Sequence, residues 1–236
     1  MLEYLSIWYY LFSGCTIVHM RGDNVSSAGN QQGTRRRSLL ANYAADTSET
    51  TRRPPSHAEC RAYLLGALHD GTYNRFHRTF RISQKGRAWL RRVQHILRKL
   101  GYKSWIYREG KMRSVYALET TAAFLDLRFN PLSLSSTKER MAYVRGYFDA
   151  EGGIPHSKKA PFYIQLCQKN YAELTKVRAI LEKMSIRCGV IHNPSSTVDP
   201  QYWRFFVRTQ SHGAFIRKIS SWHPRKQQLL CRRMMI

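Results

Sequence analysis

Two acid–glycine pairs have the right residue types and surroundings to do chemistry: Asp70-Gly71 and Glu151-Gly152. Acids are scarce in this chain. Fifteen Asp and Glu face thirty-nine Lys and Arg, for a formal net charge of +24. Each pair closes an apolar stretch that reads as a helix, so each acid sits at a helix C-terminus, which already carries partial negative charge. Two such ends brought together concentrate that potential further. In so basic a chain this makes physical sense when divalent cations lie between the carboxylates and a polyanion. Hard cations such as Mg²⁺ take one or two carboxylates, with phosphate oxygens and water completing the shell. Bound there, they activate water and stabilise the leaving oxygen of a phosphodiester.

The elements that must position these acids repeat. Ala62-Tyr63-Leu64-Leu65-Gly66 returns as Ala142-Tyr143-Val144-Arg145-Gly146, an offset of 146 − 66 = 80 residues. Small residues at i and i+4 share one helix face and allow close backbone approach. The two copies are therefore expected to pack against each other on a pseudo-twofold axis. Gln84-Lys85 recurs as Gln168-Lys169. An amphipathic helix follows each: Leu90, Val93, Ile96, Leu97 and Leu100 recur at helical spacing, as do Leu174, Val177, Ile180, Leu181 and Met184. A hairpin-like stretch follows each helix, the first turning at Glu109-Gly110. Short apolar segments, 120–129 and 211–220, close the halves and are expected to be helical. The fold expected is α+β, a tandem repeat of an α-β-β-α-β-β-α unit. The divisions are 1–57 as a disordered extension, 58–130 and 138–236 as the two halves, and 131–137 as the linker.

Leu64–Gly71 (LLGALHDG) and Val144–Gly152 (VRGYFDAEG) resemble the two copies of the LAGLIDADG motif of homing endonucleases. The resemblance covers residues 58–236. It implies a saddle of two antiparallel sheets for DNA, and metal-dependent cleavage of both strands of a long pseudo-palindromic site. Glu151 stands five residues after Gly146, as the family pattern requires, and inherits the catalytic, metal-binding role. The first copy is one residue short, with His69 just before Asp70. One residue of offset rotates a side chain by ~100° on an ideal helix. Either this helix ends differently or Asp70 is displaced. The metal role still falls to Asp70, because the Asp-Gly ending is kept and no other acid is in reach. His69 and His223 read as local hydrogen-bonders rather than metal ligands.

By the same resemblance, Gln84 and Gln168 match a polar residue that positions water or phosphate. Lys226 matches a C-terminal lysine that stabilises charge at the scissile phosphate, with Lys138 as a guess for its mate. DNA contacts are expected from Asn74, Arg75, His77, Arg78 and Arg81 in the first half. Their counterparts in the second are His156, Ser157, Lys158, Lys159 and Gln165, and Arg108, Lys111, Arg113, Arg204 and Arg208 extend the two surfaces.

The global features agree. A net charge of +24 demands a polyanionic partner, and double-stranded DNA comes first because Lys and Arg contacts release condensed counterions. The apolar fraction of 43% suffices for a packed core. Five cysteines without a CxxC pair argue against zinc ribbons and disulfide frameworks and for a reducing, intracellular setting. Residues 1–20 are apolar but too short and mixed for a membrane span, so no stable membrane association is expected. Residues 21–57 are polar and end in a Pro pair.

The reading is a monomeric, site-specific DNA endonuclease using Mg²⁺ or Mn²⁺. The alternative is a non-cleaving DNA- or RNA-binding relative, such as a maturase acting on intron RNA. Deleting residues 1–55 is expected to leave duplex binding within about twofold, since sites without shared contacts act independently. Fluorescence anisotropy on the full and shortened chains checks this.

Overall fold

The computed structural model describes residues 53–110, 114–155, 157 and 159–234. The expectations for the N-terminal extension and for Lys111, Arg113, His156 and Lys158 fall outside them. Ser56–Ile236 is one compact unit. Its first half runs α1 (His57–Ala67), a 3-10 turn (Leu68–Asp70), β1 (Gly71–Asn74), β2 (Thr79–Lys85), α2 (Ala88–Lys99), β3 (Ser104–Arg108) and β4 (Val115–Thr120). The second runs α3 (Thr137–Glu151), β5 (Gly152–Gly153), β6 (Gln165–Gln168), α4 (Tyr171–Lys183), β7 (Trp203–Phe206), α5 (His212–Lys218) and α6 (Pro224–Met234).

Local sequence sets the helix starts. Ser56 accepts from the Glu59 amide at 3.2 Å, and Ser136 with Glu139 forms a capping box ahead of α3. Asn170 accepts from the Ala172 and Glu173 amides at the start of α4. Each half carries an antiparallel sheet, ordered β1-β2-β4-β3 in the first and β5-β6-β7 in the second. A fourth strand of the second sheet is reduced to two bridges, Cys188 to Val207 and His192 to Arg204. The stripes expected on the amphipathic helices are buried: Leu90, Val93, Ile96 and Leu97 on α2, and Leu174, Val177, Ile180 and Leu181 on α4.

α1 and α3 form the centre. They touch at the repeated glycines, and the contact is reciprocal. A Cβ on Gly66 would strike the Tyr143 carbonyl and lie 2.8 Å from the Tyr147 amide nitrogen. A Cβ on Gly146 would strike the Tyr63 carbonyl and lie 2.8 Å from the Ala67 amide nitrogen. Backbone meets backbone, so nothing flexible can move aside.

One local expectation is corrected. Segment 121–130 makes turns, not a helix, because Asp126 and Asn130 accept from the Arg128 and Leu132 amides at 2.8 and 3.2 Å. Such short side chains offer the backbone an alternative to helical bonds. Gly71 and Gly152 do not end their helices in a left-handed conformation, since both are extended, with φ −113° and −81°. They are needed for space. A Cβ on Gly71 would lie 2.8 Å from the Leu68 carbonyl oxygen, and one on Gly152 would strike the Phe148 ring and carbonyl.

Gly66→Ala and Gly146→Ala should each destabilise the fold by about 3 kcal/mol or more, the upper range for overpacking. At ~2–4 °C per kcal/mol for a domain of this size, Tm should fall by roughly 6–12 °C in thermal melts. An unchanged Tm would refute the close approach.

Candidate active site

The short first motif is resolved by the way α1 ends. α1 stops at Ala67, and a 3-10 turn covers Leu68–Asp70, with the Gly71 amide bonded to the Leu68 carbonyl. Five α-helical steps from Gly146 to Glu151 rise ~7.5 Å and turn ~500°. One α-helical step and three 3-10 steps from Gly66 to Asp70 also rise ~7.5 Å and turn ~460°. The tighter, steeper turn makes up the missing residue in height and leaves about 40° of rotation.

Both acids are half-buried, and both carboxyls are pushed up by burial. Glu151 is raised to about 7, first by burial and then by the charge of Asp70. Gln84 Nε2 donates to Asp70 Oδ2 at 2.5 Å and lowers that acid's pKa, and the Gln168 side chain lies near enough to Glu151 to lower the pKa of the second. Each glutamine thus serves the acid of its own half. Lys226 is drawn to both carboxylates. Its Nζ donates to the Phe148 and Asp149 carbonyls at 2.6 and 2.8 Å, so a cation caps the end of α3 where Glu151 sits. Burial pushes the Lys226 pKa down. Lys138 is no mate for it. It lies on the first turn of α3, thirteen residues from Glu151, or ~20 Å along the helix.

The sequence reading missed Asp149, although its scarcity and apolar setting were a signal. It is 1% exposed. Tyr63 Oη donates to it at 2.7 Å, Ser221 Oγ donates to it, and the Trp222 and His223 amides donate at 2.9 and 3.0 Å. Asp149 therefore ties down the segment that leads into α6 and Lys226. Trp89 Nε1 donates to Tyr63 Oη at 2.8 Å and extends the network into α2. At the equivalent repeat position, His69 Nε2 bonds Tyr143 Oη at 2.7 Å. Burial lowers the His69 pKa to about 4. Tyr63 and Tyr143 are both buried and thus cross-link the two central helices. His69 bonds through its ring, as expected, whereas His223 bonds Asp149 through its backbone amide and its ring Nδ1 is buried without a hydrogen-bond partner among the described residues.

The expected DNA contacts sort by strand register, since side chains alternate between faces. Ile82, Leu118 and Ile106 face the helices of the first half. The opposite face carries Thr72, Asn74, Arg81, Ser83, Lys85, Trp105 and Tyr107. Asn74 Oδ1 accepts from the Phe76 and His77 amides at 3.0 and 3.2 Å and shapes the hairpin turn. Arg75, His77 and Arg78 are exposed in that turn. Arg81 pairs with Glu109 at 2.8 Å and lies 5.9 Å over the Tyr107 ring. Arg108 falls on the register of Ile106, away from this face. It was grouped by charge, and the period of two separates it.

In the second sheet Gln165 and Arg204 share the outward face with Cys167 and Phe206. Gln165 Nε2 donates to Tyr202 Oη at 3.0 Å, and Arg204 Nε donates to His192 Nε2 at 3.3 Å. Ser157 and Lys159 are exposed outside the strands, because β5 is only two residues long. Arg208 is exposed beyond the end of β7.

Residues 138–219 match the LAGLIDADG-like domain family. Homing endonuclease I-ApeI of Aeropyrum pernix is 28% identical over 191 residues, covering 71% of this chain and 84% of its own. Structures of I-DmoI share the fold. One of its mesophilic variants has TM-score 0.57 at 19% identity, covering 75% of this chain and 100% of that one. I-DmoI in complex with DNA and Mn has TM-score 0.53 at 20% identity, covering 70% and 98%. Full-length DUF199/WhiA from Thermatoga maritima has TM-score 0.57 at 16% identity, covering 81% of this chain and 65% of that one. The α+β fold with two antiparallel sheets is that of the LAGLIDADG endonuclease structures.

Among the described residues, no cluster of three or more His, Cys, Asp or Glu could hold a metal. The donor set is two carboxylates that raise each other's cost of ionisation, and this fits a hard cation completed by water and phosphate oxygens. None of the described helices is long and apolar enough to cross a membrane.

The raised Glu151 pKa fixes a sign. Folded Glu151 binds its proton more tightly than the unfolded chain does, so its contribution to stability is lost as pH rises from about 4.5 through about 7. In metal-free buffer the Tm of Glu151→Gln should exceed that of the wild type by a margin that grows from pH 5 to pH 8, and Mg²⁺ should shrink it. A margin independent of pH would show that folding does not raise the Glu151 pKa.

Proposed function

We propose that this chain is a site-specific, double-strand DNA endonuclease of the homing type that works as a monomer with Mg²⁺ or Mn²⁺. The observation that carries the reading is the junction of α1 and α3. Two half-buried carboxylates, two glutamines and one lysine meet there, in a chain of net charge +24. I-ApeI, similar along most of its length, is named a homing endonuclease, and I-DmoI was solved with DNA and Mn.

Asp70 and Glu151 would hold the cations at the two helix ends. Bound there, divalent metal supplies an activated water and a counter-charge for the leaving oxygen. Gln84 and Gln168 orient the carboxylates by donating to them. Lys226 holds the last turn of α3 and brings positive charge beside the phosphate. Arg75, His77 and Arg78 on the hairpin turn, and Gln165 and Arg204 on the second sheet, meet the duplex on either side. Burial of the acids serves this chemistry, because closely spaced carboxylates in a part-dry site gain most from a bound cation.

Plasmid libraries carrying candidate insertion sites, incubated with Mg²⁺ or Mn²⁺, are expected to yield a linearised member. Glu151→Gln should lose more than about 100-fold in scission while duplex binding persists, since even the outer partners of metal ligands are worth 10–100-fold. A non-cleaving relative predicts no scission by the wild type and no change on that substitution. Absence of both cleavage and duplex binding removes the reading.

A further inference from the structure

We propose that His69 is a positioning residue for Gln168 and, through it, for Glu151, so that a side chain of the first half governs the acid of the second. The proposal rests on the active-site reading above.

The geometry fixes which atoms face one another. The Lys169 amide donates to Gln168 Oε1 at 2.8 Å, which assigns the carbonyl end of that side chain. The amide nitrogen Nε2 must then point the other way, where it serves Glu151 and lies 3.4 Å from His69 Nδ1. An NH₂ group has two protons and no lone pair to offer, so His69 Nδ1 must accept. The ring proton therefore sits on Nε2 and is donated to Tyr143 Oη at 2.7 Å. The ring is further fixed by an edge contact with Tyr147, centroids 4.6 Å apart. Tyr143 and Tyr147 belong to α3, so His69 is anchored on the helix that ends in Glu151. The result is a chain from Tyr143 through His69 and Gln168 to Glu151, crossing from α3 to the first motif and back.

The other half has no matching chain. Asp149, at the equivalent repeat position, accepts from Ser221, Trp222 and His223. Gln84 bonds Asp70 within its own half. The histidine where the first motif departs from its family pattern is therefore one feature that makes the two centres unequal. Gln168 depends on a side chain contributed by the opposite half.

The test is single-turnover cleavage of the recovered duplex with each strand labelled separately. His69→Leu should slow one strand at least about 10-fold, the lower range for removing an outer partner of a ligand. It should be the strand that Gln168→Ala slows, with the other strand within about twofold. His69→Leu combined with Gln168→Ala should be no slower than Gln168→Ala alone, because both act through one group. His69→Asn, whose Oδ1 can stand where Nδ1 stood, should keep the wild-type strand ratio. Equal slowing of both strands, or effects that multiply in the double variant, would overturn the proposal. An independent readout is the Gln168 side-chain NH₂ resonance of the metal-free protein, assigned by its loss in Gln168→Ala. His69→Leu should move it toward a free amide and His69→Asn should retain it, and a resonance insensitive to His69→Leu overturns the proposal. A wild-type chain that cuts no duplex removes the endonuclease reading, and the amide resonance then decides the matter of His69 alone.

Discussion

Everything in this molecule depends on how closely α1 and α3 approach. Gly66 and Gly146 each lie against the backbone of the opposite helix, at Tyr143 and Tyr63. No larger residue fits at either point. That contact brings two helix C-termini side by side, so the charge of Asp70 reaches Glu151. It also brings Tyr63 within 2.7 Å of Asp149 and Tyr143 within 2.7 Å of His69. Each half contributes the hydroxyl that holds the sixth motif position of the other. Packing and polar satisfaction are thus two aspects of one interface.

The same proximity creates an electrostatic problem. Two carboxylates at two negative helix ends are each pushed toward the neutral form. The protein compensates in part with Lys226, which caps the carbonyls of α3, and with one glutamine amide per acid. A single ammonium serving two acids leaves negative charge uncompensated. Under the proposed function, a bound divalent cation would relieve that charge and carry phosphate oxygens in its shell. A well-neutralised site would have no comparable affinity for metal, so the strain in protonation equilibrium is tied to the proposed chemistry.

The two halves repeat one plan with unequal detail. The first ends its central helix in a 3-10 turn, the second in a full α-turn. The first carries His69 and the second Asp149 at matching positions, and the second alone supplies the C-terminal segment with Lys226. The first sheet has four strands, whereas the second replaces its fourth with two bridges. The duplicated plan sets where the acids lie. The unequal details set how each is held, so the two acids sit in different surroundings.

Much of this was legible in the sequence. The 80-residue repeat, the paired glycines, the stripes on α2 and α4 and the scarcity of acids follow from residue type and spacing, because helical and strand periods are local properties. Glu151 stood out on that basis, whereas the role expected of Gln168 came from the resemblance to the LAGLIDADG motif. The fate of the shortened first motif could not be read there, because Asp70 reaches the height of Glu151 only through a 3-10 turn, whose hydrogen bonds the sequence does not announce. Nor could Asp149, whose partners Tyr63, Ser221, Trp222 and His223 lie 72 to 86 residues away. Arg81 and Arg108 looked alike as basic residues of one surface. Pairing with Glu109 engages one, and strand register turns the other away. Sequence settled most of the elements and which residues repeat, since those depend on near neighbours. Tertiary structure decided which side chains meet, because the distances that make a site close only when distant segments pack.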